Sequence, residues 1–321
     1  MPRVQIIQRK TKGERKQQRN SLGNLHELIV AKATHDRYFE AASRFLDFMS
    51  SMGYAYPTSF QGLDSKVCEF IELLWNEGEP KAYASDTISG LGHFIPACKR
   101  FLTGSWRLHG GWSRSELPSR ALPLTPLMAY AMAQRAFEKG WQDMTVLILL
   151  GFSRFARTGE LFNARVGDFV FDANLKRAVW SLPLSKSGQR FGARESITID
   201  DVWIVHALSN FCRHKCPGDS IRLASPQTMR NRFKTLCCDL QLPEGIAWYS
   251  LRRGGATHLF RITNNLPLVC LIGRWGNQKT ARIYVTDALA QLTEISLSRT
   301  VRLRLLRFAQ QARPGFDFDA S

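Results

Sequence analysis

Apolar residues recur every three to four positions through most of this chain, and the breaks between such stretches carry glycine and proline. Tyr38, Phe39, Ala42, Phe45, Leu46 and Met49 keep helical spacing behind Leu25, Leu28 and Ile29, and Gly53 and Pro57 close that stretch. Val67, Phe70, Ile71 and Leu74 predict a second helix, stopped near Gly78 and Pro80. Ser85 reads as the cap of a third, with Ile88, Leu91 and Ile95 facing inward and Pro96 ending it. A fourth is expected from Ala97 towards Trp106 and Leu108. Four short helices over about ninety residues make a compact module without obvious chemistry.

The segment 117–126 holds three prolines and reads as a linker, because proline cannot continue a helix. Helical patterning resumes at Leu127–Lys139 and Gln142–Phe155, and Thr145–Leu150 is apolar on every side, as in a centrally buried helix. Strand signals are confined to Phe169–Phe171, Ala178–Leu182 and Glu195–Ile199, separated by turn residues that include Ser187-Gly188. They predict a small antiparallel sheet. The remainder reads as helical, with one long C-terminal helix expected over Ala288–Gln310. The fold class is therefore mainly α with a small antiparallel β-sheet. Four regions are expected: a flexible basic arm (1–20), a helical domain (21–116), a mixed α/β domain (117–312) and a tail (313–321).

Charge changes this picture. The net charge is +17, unevenly spread: residues 1–20 hold seven Lys/Arg against one Glu, 21–117 nine against eleven, and 118–321 hold 28 against 15. A field of that sign attracts a polyanion, of which nucleic acid is the commonest; an anionic lipid surface or a merely solvated face are the alternatives. No run of about 18 apolar residues predicts a membrane span, and Ile6-Ile7 is too short for the apolar core of a signal peptide. The seven cysteines lack the rhythm of a disulfide scaffold and fit a reducing compartment. Cys212-Arg-His-Lys-Cys216 has one zinc-like spacing without a second pair, so no metal site is expected.

Four segments carry chemistry. Arg157 and Glu160 are three apart after a buried helix, so the carboxylate can orient the guanidinium; a surface ion pair is the plain alternative. Lys186 lies where the turn between two strands is expected, either solvated or presented into a DNA groove. Tyr249 and Arg252 precede Gly254, Gly255 and Ala256, whose small size lets a backbone or a phosphate approach. Trp275 stands nine positions before Tyr284, a tyrosine preceded by cations and aromatic donors, as attack on a phosphodiester requires. Lys99, Arg100 and Arg107 form a basic face on the first domain. Arg230, Arg232, Lys234, Arg253, Arg274, Lys279 and Arg282 are further candidates for contacts with a nucleic-acid backbone.

In this order and spacing the segments resemble the tyrosine recombinase family of site-specific recombinases and phage-type integrases. Ala156-Arg-Thr-Gly-Glu-Leu161 matches its first arginine box, Lys186 its hairpin lysine, Tyr249-Ser-Leu-Arg252 its His-x-x-Arg motif, Trp275 its His/Trp position and Tyr284 its nucleophile. Residues 21–114 resemble the helical core-binding domain that clamps the duplex. The resemblance implies a DNA strand transferase without metal, ATP or other cofactor. Arg157 and Arg252 would sit on the non-bridging oxygens, Lys186 would protonate the departing 5′-oxygen, and Tyr249 and Trp275 would add donors. Tyr284 would form a 3′-phosphotyrosyl ester. It also implies double-stranded DNA as partner, a homotetramer linked through the C-terminal helix, and an intracellular place beside DNA. The family has histidine where this chain has Tyr249, and a phenol is a poor proton acceptor near neutral pH. Two alternatives follow: a DNA-binding protein with weakened catalysis, and a relaxase of the type IB topoisomerase kind.

Overall fold

The computed structural model describes residues 11–22, 24–117, 120–182, 195–315 and 318. The chain divides into two compact units, Met1–Ser119 and Arg120–Ser321. In the first, α1 (Lys12–Leu22) starts where the Glu14 carboxylate accepts from Thr11 N (2.7 Å). Of the flexible basic arm expected over 1–20, residues 1–10 lie outside the described residues; the part from Lys12 is helical, and no residue of α1 is buried. Helices α2 (Lys32–Ser51), α3 (Phe60–Asn76), α4 (Lys81–Phe94) and α5 (Thr103–Ser115) enclose a core of Phe45, Leu63, Val67, Ile71, Ile88 and Leu102.

Two helix starts differ from the sequence expectation. Helix α4 begins directly after Pro80, whose fixed φ (−61°) leads the chain into the helix. Ser85 instead lies inside it, its hydroxyl donating back to the Ala82 carbonyl (2.9 Å). The single helix expected from Ala97 is a 3₁₀ turn (Pro96–Arg100) followed by α5. The break has a distant cause: Asp64 of α3 accepts from Gly104 N (2.8 Å) and Ser105 N (3.0 Å), capping α5 from forty residues away.

In the second unit, α6 (Pro126–Glu138) and α7 (Gln142–Ser153) are the buried centre, and Val146, Leu147, Ile148 and Leu150 make α7 apolar around its circumference. Each such side chain contributes roughly 1.5–3 kcal/mol by leaving water. A short α8 (Thr158–Asn163) leads into β1 (Phe169–Phe171), β2 (Ala178–Leu182) and β3 (Glu195–Ile199), an antiparallel sheet in which Trp180 pairs with Phe169 on one side and Ile197 on the other. Alternation buries Ala178, Trp180 and Leu182 and exposes Val179. The strands occupy the residues expected. The turn with Lys186, Ser187 and Gly188 lies outside the described residues.

The chain continues through α9 (Val202–Cys212), α10 (Pro226–Asp239), α11 (Trp248–Thr263), α12 (Leu266–Gly273), α13 (Gln278–Arg282), α14 (Asp287–Ile295) and α15 (Arg299–Ala312). The long C-terminal helix is thus two helices, because Ser298 accepts from Val301 N (3.3 Å) and starts α15 afresh. Helix α15 lies on α6 of its own unit and buries Val301, Leu305, Phe308 and Ala309. The second half of the expected linker is also part of this unit: Leu124 is buried and donates to Ser250 O (3.2 Å). So is the described part of the expected tail. Arg313 pairs with Asp201 (2.8 Å), and Phe318 is buried against Tyr130. Among the described residues no helix is long and apolar enough to cross a membrane, and no three His, Cys, Asp or Glu side chains are grouped to hold a metal ion.

Candidate active site

The first turn of α11 builds the centre. The N–H of Ala247 donates to the Ser250 hydroxyl (2.9 Å), so Tyr249 and Arg252 leave the helix start three positions apart on one side. Gly254 and Gly255 then face neighbouring backbone. A Cβ at Gly254 would lie 2.0 Å from the Leu124 carbonyl oxygen, and one at Gly255 1.9 Å from that of Phe152. Of the two readings open at the sequence level, phosphate or backbone, the glycines admit backbone. That approach brings Arg252 to the end of α7.

Arg252 is 1% exposed. One Nη donates to the Phe155 carbonyl and the other to the Gly273 carbonyl (2.6 Å). Its Nε has no hydrogen-bond partner among the described residues. The guanidinium lies 4.5 Å from the centre of the Trp275 ring and 5.5 Å from that of Tyr284, contacts worth about 2 kcal/mol where water is excluded. Burial, with Arg157 and Arg274 nearby, lowers its pKa to about 10, so it stays cationic at neutral pH. Both carbonyls belong to strained turns: Phe155 has φ 50°, and Arg274, directly after Gly273, has φ 55°. Left-handed backbone at a large residue is uncommon and concentrates at functional sites.

Tyr284 follows α13, which Asn277 starts by accepting from Thr280 N (2.8 Å). The nine-residue interval is therefore one short helix and its flanks, and it returns the phenol to the indole: the Trp275 and Tyr284 rings are 4.5 Å apart. Thr257, which sequence reasoning did not single out, pins this return. Its hydroxyl donates to Tyr284 O (3.2 Å) and accepts from Thr286 N (3.1 Å). The only hint of it was its place in the Ala256-Thr-His-Leu stretch beside Arg252.

The Tyr284 hydroxyl is hydrogen-bonded to that of Tyr249. Burial and this bond push Tyr249 up to about 12. For Tyr284 burial acts upward too, but the Tyr249 hydrogen bond, the Arg252 charge and Trp275 outweigh it and hold the phenol below its ordinary range. Once Tyr284 ionises, Tyr249 is accordingly the donor of the pair.

Arg157 sits at the N-cap of α8. Its backbone N donates to Glu160 Oε2 (2.7 Å) and its Nη1 to Oε1 (2.8 Å). Burial raises the Glu160 carboxyl, but hydrogen bonds and charge from Arg274, and then Arg157, pull it below the usual range. Arg157, Tyr249, Arg252, Trp275 and Tyr284 thus come together with Glu160 from segments far apart in sequence. Lys186 lies outside the described residues.

No family model matches the sequence, and neither does any curated protein. Solved structures do match in three dimensions. An integrase of the Tn1549 transposon in complex with transposon right-end DNA is 13% identical, with a TM-score of 0.56 over 88% of this chain and 98% of that one. The fold is that of the tyrosine recombinases. A lambda integrase dimer bound to a core site (16% identity, TM-score 0.55, 86% and 95% covered) has the same recombinase fold. So does the XerH site-specific recombinase bound to difH (16%, 0.51, 72% of each chain). At such identities the likeness is one of fold.

On this recombinase fold, two residues expected to meet a nucleic-acid backbone are turned inward. Arg253 is buried, with an Nη on the Thr286 hydroxyl (3.4 Å). The Arg274 side chain is only 10% exposed, because Glu160 and Glu195 hold it. Arg232 is partly tied by Asp143 (3.5 Å) and the Trp141 ring. Lys99, Arg100 and Arg107 on the first unit, and Arg230, Lys234, Lys279 and Arg282 on the second, remain exposed. Lys279 and Arg282 line an open recess of about 530 Å³ beside Asn277, close in sequence to Tyr284.

Proposed function

We propose that this protein is a site-specific DNA recombinase or integrase that cleaves and rejoins DNA through Tyr284. The observation that carries the reading is the placement of one phenol, held below its ordinary pKa, against Arg252, Trp275 and Tyr249. In the reaction the Tyr284 oxygen attacks a backbone phosphorus and the bond to the 5′-oxygen breaks. A 3′-phosphotyrosyl ester remains, and the reverse attack by a 5′-hydroxyl rejoins the strand. Negative charge on the non-bridging oxygens falls to Arg157 and Arg252, where each guanidinium is worth about 3 kcal/mol in the barrier. Lys186 is assigned, on the resemblance alone, to protonate the leaving oxygen. The ester conserves the energy of the broken bond, so the scheme uses no cofactor. Exposed Lys99, Arg100, Arg107, Arg230, Lys234, Lys279 and Arg282 are assigned to backbone phosphates, making affinity fall steeply with salt.

A homotetramer on two duplexes belongs to the same reading. Because α15 spends its apolar face on α6, exchange between copies falls to exposed Leu292 and Ile295 of α14. Deletion after Thr286 that leaves DNA-bound assembly intact refutes that part.

A second reading, DNA binding with a disabled centre, draws on Arg252 being covered and on a Tyr249 hydroxyl that cannot accept a proton. One experiment separates the two. Nicked suicide duplexes with randomised arms are incubated with the protein, and SDS-stable adducts are recovered and sequenced. The recombinase reading expects adducts that share a site and vanish in Tyr284→Phe. Retention of DNA without any adduct supports the second reading.

A further inference from the structure

We infer that Arg274 is a positioning residue that sets both catalytic arginines at once, through its side chain and its backbone. The inference rests on the recombinase reading and deepens it. The guanidinium grips Glu160 with two hydrogen bonds, Nη2 to Oε2 (2.7 Å) and Nη1 to Oε1 (3.2 Å), and reaches Glu195 at the start of β3 (3.5 Å). Glu160 uses those same two oxygens on Arg157, one for its backbone N and one for its Nη1. The carboxylate is thereby saturated between two guanidinium groups, and Arg157 cannot turn without disturbing Arg274. The backbone acts on the other arginine. The peptide joining Gly273 to Arg274 supplies the carbonyl that accepts from Arg252.

Arg274 occupies left-handed backbone (φ 55°), where a long side chain is disfavoured and glycine or asparagine is usual. Its side chain therefore has to hold the turn that its backbone makes. Glu160 and Glu195 provide that hold from α8 and β3. A lysine replaces it only in part, because a point ammonium does not span both carboxylate oxygens. Both of its Nη groups are spent on carboxylates, which sets Arg274 apart from a phosphate contact.

The groups around this network are Arg157 on α8, Glu195 on β3, and Arg252 and Tyr249 on α11, with Tyr284 beyond them. Arg274 gives Glu160 its strongest favourable partner. Without it the carboxyl rises and protonates at higher pH, releasing Arg157.

The test uses the full chain and a suicide duplex recovered as above, measuring single-turnover cleavage, equilibrium DNA affinity and thermal unfolding. Arg274→Ala is expected to slow cleavage about 100-fold, the usual cost of misplacing catalytic groups by an ångström. DNA affinity should change less than about twofold, since no phosphate contact is lost. The acid limb of its pH–rate profile should move to higher pH, which a purely structural defect does not produce. Arg274→Lys should recover about tenfold of the loss, because charge returns without the bidentate grip. Should Arg274→Ala fail to fold, Arg274→Lys and Glu195→Gln carry the test, each expected to slow cleavage with affinity kept. Wild-type rates in the folded variants, or rate and affinity falling in parallel, overturn the positioning role while leaving the recombinase reading in place. A wild-type chain that forms no adduct overturns that reading, and the inference with it.

Discussion

The hydroxyls of Tyr249 and Tyr284 are hydrogen-bonded to each other, and the bond pushes the two phenols in opposite directions. Tyr249, which burial also raises, is driven up to about 12, while Tyr284 is held below the ordinary phenol range. A residue that cannot take the nucleophile's proton still favours its departure, by stabilising the phenolate that remains.

Removing that donor has a defined sign. Tyr249→Phe leaves the Tyr284 phenolate without its partner, so the pKa of Tyr284 rises and the alkaline limb of the cleavage rate moves to higher pH. At neutral pH the rate should fall about tenfold, the worth of one hydrogen bond to a charged group. A pH–rate profile superposable on that of the wild type would remove Tyr249 from the chemistry.

Arg252→Lys tests the guanidinium itself. Lysine cannot serve the Phe155 and Gly273 carbonyls together while keeping its charge against the Trp275 ring. Stability should drop by about 1–3 kcal/mol for the carbonyl left unpaired. Cleavage should slow more than about a hundredfold. Denaturant unfolding and single-turnover kinetics on one preparation read both effects, and a rate within a few fold of wild type would contradict the assignment.

Gly255→Ala drives a methyl into the Phe152 carbonyl and the Phe155 ring. Backbone has nowhere to retreat in a packed centre, so a loss of about 3 kcal/mol or more is expected in urea unfolding. Gly159→Ala, where nothing lies within 4 Å, is the matched control and should be nearly silent.

His258 makes stability depend on acidity. Burial, and then Arg261 and Arg313, depress its pKa from 6.5 to about 4, so the folded protein holds the neutral imidazole. A depressed pKa contributes stability that is complete above about 6.5 and is lost as pH falls towards 4, up to about 3 kcal/mol. His258→Leu should therefore flatten the stability curve between those values. An unchanged slope in unfolding measured across that window would refute the assignment.

How legible all this is in the sequence depends on where each cause lies. The strands Phe169–Phe171, Ala178–Leu182 and Glu195–Ile199 follow from local alternation and turn residues, and the Trp275–Tyr284 interval from a single short helix. The inward turn of Arg274 does not, because its partners Glu160 and Glu195 are 114 and 79 residues away. Counted by charge alone it joined the candidates for phosphate contact. The start of α5 is likewise set by Asp64 on another helix. The glycine pair of α11 showed that something approaches closely, but only the fold reveals the carbonyls of Leu124 and Phe152.

The central claim is that Tyr284 becomes covalently joined to DNA, and mass spectrometry of the nuclease-trimmed, protease-digested adduct tests it most directly. The account predicts a nucleotide attached through its 3′-phosphate to the peptide containing Tyr284. A nucleotide on Tyr249 or on any other residue, or a 5′ linkage, would contradict it.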